Sequence, residues 1–138
     1  MKSRDTLLRL KRFTVDEKRR RVSQIEMMIA EFERMANDLD TEIAREEKRA
    51  GISDMAHFAY PTYAKAARVR RDNLLNSAAE LRDQLEEARG HLEAAFEDLK
   101  KVEIMEDRSK AQERLEIAAR EQASLDAIGG RMSYARAS

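Results

Sequence analysis

The sequence predicts an all-α fold: two long helices in an antiparallel coiled-coil hairpin, the second longer than the first. An apolar seam at three-four spacing runs through Val22, Ile25, Ile29, Phe32, Ala36, Leu39 and Ile43. A second runs through Leu74, Ala78, Leu81, Leu85, Ala88, Leu92, Ala95, Leu99 and Val102. Between them the pattern breaks once, at a stretch holding Gly51 and the chain's single proline, Pro61. A seven-residue repeat with apolar first and fourth positions keeps one narrow stripe turned to a partner helix, and so buries a seam and no deep core. The expected shape is a rod.

Composition agrees. Among 138 residues there are four glycines, one proline, no tryptophan and 39% charged side chains, the signature of long solvated helices. Disordered chains are as polar, yet they lack a sustained seam of branched apolar residues. The 27 basic and 27 acidic side chains cancel, which removes the simplest argument for a nucleic-acid partner. No cysteine is present, so disulfide and thiolate chemistry are out and a reducing compartment fits. The opening ten residues carry four charges, and no later stretch is apolar enough for a signal or a span, so neither membrane crossing nor lipid insertion is expected.

Helix one is expected from about residue 4 to 50. Gly51 can take a positive φ and close it. The bend covers 51–61, and Pro61 biases Tyr60 away from helical torsions while suiting the first turn of a new helix. Helix two is expected over about 62–128, ending at Gly129–Gly130, with a frayed tail at 129–138. The whole is read as a single coiled-coil domain. At about 1.5 Å per residue the helices measure about 70 Å and about 100 Å.

Folding the chain near residue 56 sets residue i opposite roughly 112 minus i. Helix one then runs out opposite residue 108, and helix two continues alone. The second seam changes phase there. Beyond Val102 its next positions are Glu106 and Ser109, whereas a new stripe passes through Ile104, Ala111, Leu115, Ala118 and Leu125. Residues 1–21 hold nine basic and three acidic side chains, and 80–107 hold four basic and ten acidic. In the antiparallel register these stretches overlap, so flanking charges complement each other and help set alignment.

Catalysis has no foothold. His57 and His91 are the only histidines, and His91 has ordinary helix-surface carboxylates around it in place of ligand spacing. There is no glycine-rich phosphate loop and no nucleophile elbow. No enzyme activity, metal or cofactor is implied. Lys18 to Arg21 are consecutive, so they spread around the helix and form no single phosphate-binding face.

Two groups suit partner contact. Phe58, Tyr60 and Tyr63 gather three of the chain's seven aromatics at the bend, where they either plug the seam or anchor a partner. At the other end Leu7, Leu10 and Phe13 exceed what one seam can use, beside Arg9, Lys11 and Arg12. Leu115, Ile117, Leu125 and Ile128 lie on the lone stretch of helix two, and a lone helix of about 20 residues is marginal in water.

The leader Leu7-Leu8-Arg9-Leu10-Lys11-Arg12-Phe13, the aromatic spacing Tyr60-x-x-Tyr63-x-x-x-Ala67 and the unequal hairpin resemble the FliJ proteins of the flagellar type III export apparatus. Ala67 stands where that family typically has leucine. The resemblance implies a cytoplasmic, stalk-like protein, peripheral at the inner face of the bacterial cytoplasmic membrane. Its paired termini would enter the ring of the export ATPase, and it would touch the membrane export gate and escort export chaperones. On that basis Leu7, Arg9, Leu10, Lys11, Arg12, Phe13, Leu115 and Leu125 face the ring, and Phe58, Tyr60, Tyr63 and Ala67 face the gate or another partner. The chain alone is expected to be a monomer. The competing reading is a structural or adaptor coiled coil, dimeric and unrelated to secretion, which sedimentation equilibrium separates from the hairpin.

Overall fold

The computed structural model describes the backbone of Lys2–Ala50 and Ala56–Ala137, with side chains at 3–49 and 62–136. Two helices make up this whole: α1, Lys2–Ala50, and α2, Ala56–Ala137. They pack against each other, and α2 is the longer, as the two seams predict. Asp5 in the first turn of α1 and Lys48 and Arg49 in its last complement the helix dipole. The closing role expected of Gly51 lies outside the described residues.

The helix limits differ from expectation at both ends of α2. It begins at Ala56, so Tyr60 is helical, and Pro61 sits in the second turn instead of opening the helix. The residue before a proline is biased against helix, not barred from it, and a proline this near the N-terminus removes only one backbone bond. At the far end α2 passes through Gly129 and Gly130 to Ala137, where a frayed tail was expected. Neither glycine has a positive φ. Each costs a helix about 1 kcal/mol against alanine without forbidding it, and Ala127, Arg131, Met132 and Ala135 around the pair are good or adequate helix formers.

The chain groups into two compact units, Phe13–Ala95 and Met1–Arg12 with Phe96–Ser138. The larger unit, Phe13–Ala95, contains an apolar cluster of Ile25, Ile29, Leu81, Leu85 and Ala88, against which Val22 and Phe32 pack. Every one of these is a seam position of the sequence pattern. Its cross-helix ion pairs include Arg68–Glu47, Arg71–Asp40, Arg82–Glu33 and Arg89–Glu26. Partner numbers rise on α2 as they fall on α1, and each pair adds to between 111 and 115. The strands of the hairpin are therefore antiparallel, in the register anticipated from the bend.

The smaller unit pairs the first turns of α1 with α2 from residue 96. Lys11 Nζ meets Asp98 at 4.0 Å, which puts this unit close to the same register. Leu8, Leu99 and Val102 are half-buried along its seam. The seam then keeps its phase on polar residues, because Glu106 is buried and Ser109 half-buried. Ile104, Ala111, Leu115, Ala118 and Leu125, the stripe at the new phase, are exposed. From 111 to 136 every residue of α2 is exposed, the pattern of a helix without a companion.

Candidate functional site

A helix buries a face only where something covers it, so exposed apolar side chains mark where a partner could still be accommodated. The smaller unit carries most of those expected from the sequence. Leu7 and Leu10, three residues apart and hence on one face of α1, are both exposed, as are Arg9 and Arg12 beside them. Lys11 is half-buried and turned to Asp98. Leu115 and Leu125 are 67% and 62% exposed on the uncovered length of α2, well above what a core leucine shows. Ile117, Ile128, Met132 and Tyr134 extend that apolar surface. Met132 and Tyr134 escaped the sequence reading, because a tail thought frayed has no face.

Phe13 is also exposed, but it belongs to the larger unit. At the bend end of that unit the predicted group separates. The side chains of Phe58 and Tyr60 lie outside the described residues. Tyr63 is partly exposed, and its hydroxyl donates to Glu42 Oε2 at 3.1 Å across the two helices. Partial burial of the ring pushes the phenol above its ordinary range, and the accepting Glu42 carboxylate reinforces the shift. Ala67 is buried in the seam, as is Ala64. Its methyl faces the partner helix of the same chain and not the surface assigned to it from the sequence.

The charge pattern extends beyond the expected pairing. Lys11–Asp98 has the sense expected, basic on α1 and acidic on α2. In the larger unit the sense reverses, with arginines of α2 meeting carboxylates of α1. Arg71 donates to Asp40 Oδ1 at 2.7 Å and also to Asp72. The sequence carries this second asymmetry: residues 31–47 hold seven acidic and two basic side chains, and 65–82 hold five basic and two acidic.

His91 is exposed, and among the described residues no three His, Cys, Asp or Glu side chains converge on a common point. Nor is any described helix long and apolar enough to cross a membrane.

With an antiparallel pair of unequal helices and an uncovered apolar tract established, comparison with known families is decisive. The family model for the flagellar FliJ protein matches residues 1–138, the entire chain. The chain belongs to the FliJ family. No curated relative and no solved structure matches it. FliJ membership makes the chain a component associated with flagellar protein export, and it agrees with the leader and architecture from which the resemblance was first read.

Proposed function

We propose that this FliJ-family chain is a non-enzymatic, stalk-like part of the flagellar type III export apparatus that binds the export ATPase ring and the membrane export gate and escorts export chaperones. It would be a monomer alone, held at the inner face of the cytoplasmic membrane through that apparatus without inserting into lipid or binding nucleic acid. The observation that carries this reading is the uncovered stretch of α2 at 111–136, with Leu115, Ile117, Leu125 and Ile128 in water. An isolated helix of this length is marginal, so a companion is called for. Export ATPase subunits are that companion on the family reading.

An asymmetric helical element inside a six-fold ring cannot make the same contact with every subunit. It biases the subunits unequally only if its contact energy differs between their states. Leu7, Arg9, Leu10, Lys11, Arg12 and Phe13 would contribute to that contact with Leu115 and Leu125. Tyr63 would lie towards the gate, and Ala67 would act only by setting helix spacing.

The test is capture of the purified export ATPase from the same source on immobilised full-length chain. Changing Leu115 and Leu125 together to Ser should weaken capture at least tenfold while far-UV circular dichroism stays helical. A separate sample with Leu7, Leu10 and Phe13 changed to Ser should behave alike. Unaltered capture by both variants would refute the assignment of these surfaces. A stable dimer in sedimentation equilibrium would favour the adaptor reading.

A further inference from the structure

In the smaller unit the only buried residue among those described is a carboxylate, Glu106, at 5% exposure. It occupies the seam position one turn beyond Val102, where the repeat calls for an apolar side chain. The register sets it opposite the opening turns of α1, which include Arg4, Thr6 and Leu8. Glu106 Oε2 has no hydrogen-bond partner among the described residues. Lys110, one turn along the same helix, approaches Oε1 at 3.7 Å, but its own side chain is more than half exposed. A carboxylate taken out of water and only loosely paired destabilises the state that buries it. A single polar residue at such a seam position trades stability for alignment or for the ability to come apart.

We propose that Glu106 is a built-in weak point that makes the α1 leader, residues 2–12, a releasable strap. When the leader lifts away, Glu106 regains water, and the half-buried seam residues Leu8, Leu99 and Val102 are bared. Local opening of this kind has its own free energy, separate from global unfolding. The cluster of Ile25, Ile29, Leu81, Leu85 and Ala88 contains no such residue, so it supplies an internal standard.

Amide hydrogen exchange on the full chain tests this, with Glu106→Leu, Glu106→Gln and, as a surface control, Asp107→Leu. Glu106→Leu should slow exchange at residues 6–12, the first amides of α1 with an intrahelical acceptor, at least tenfold while leaving 25–29 and 81–88 unchanged. Glu106→Gln keeps the shape and removes the charge, and should move the same amides in the same direction by less. Asp107→Leu should move none of them. Unchanged exchange at 6–12 would overturn the proposal. Faster exchange would overturn it too, since the carboxylate would then be holding the leader down. Slowing spread evenly over both regions would reveal a global effect and also overturn it.

Discussion

The two units use the same helices and the same repeat, yet they bury different things. The larger, Phe13–Ala95, buries twelve side chains among the described residues, all apolar, from Val15 to Ala95. The smaller buries one, and it is Glu106. Burial of a large apolar side chain such as Ile25 or Leu81 contributes about 1.5–3 kcal/mol and that of an alanine less, whereas a buried carboxylate contributes only if it is well paired. A heptad pattern thus guarantees that two helices can meet, while the residues occupying it decide how firmly. One unit is built to stay closed, and the other spends its apolar residues on the surface.

The largest effect that could break this comparison lies in the apolar cluster. Ile25→Ala removes the most completely buried large side chain and should cost about 2–5 kcal/mol of stability in urea unfolding. Leu115→Ala, on the uncovered tract, should stay within about 0.5 kcal/mol. Equal costs would mean that the two regions are stabilised alike.

Next in size, Gly129→Ala and Gly130→Ala should each stabilise the end of α2 by about 1 kcal/mol, because a Cβ there meets nothing within 4 Å and neither glycine has a positive φ. Far-UV circular dichroism should show added helix. No gain would place the end of α2 before these glycines, as the sequence alone suggests.

Smaller still is the Arg82–Glu33 pair between the helices of the larger unit. A double-mutant cycle should return about 0–1 kcal/mol, falling as salt is added, since both partners are substantially exposed. A larger, salt-insensitive value would show that charge stabilises this unit as much as its apolar cluster does.

The finest distinction concerns Tyr63. Its phenol is shifted upward in the folded chain, so the folded state holds its proton more tightly than the unfolded one. Stability from this group is complete below the ordinary tyrosine range, near about pH 10, and is lost as pH rises through the raised value. Wild type should therefore lose stability in alkali more steeply than Tyr63→Phe. Parallel pH profiles for the two would show that folding does not raise the Tyr63 phenol.

The helix pair and its register were legible because both follow from spacing. Ile25 and Phe32, Ile29, Ala36 and Ile43, Leu81, Ala88 and Ala95, and Leu85, Leu92 and Leu99 repeat at seven-residue intervals, and the position of Gly51 and Pro61 sets where the chain can fold. The exposed leucines at 7, 10, 115 and 125 were legible by subtraction, as apolar residues that no seam could use. The end of α2 was not, since two glycines weaken a helix without stating whether their neighbours carry it through. Ala67 was misplaced for a related reason: a motif names a residue type at a spacing, and only the phase of the packed pair says which way it faces.

By itself the sequence determined an all-helical chain, its antiparallel alignment and its membership of the FliJ family. Those depend on periodicity, breakers and overall pattern, all local or additive properties of a linear string. Tertiary structure alone decided that Glu106 is buried while Leu115 is exposed, that Ala67 faces inward, and that arginines of α2 meet the acidic stretch of α1. Each of these depends on which surface a second helix covers, and coverage is a property of the pair rather than of either strand.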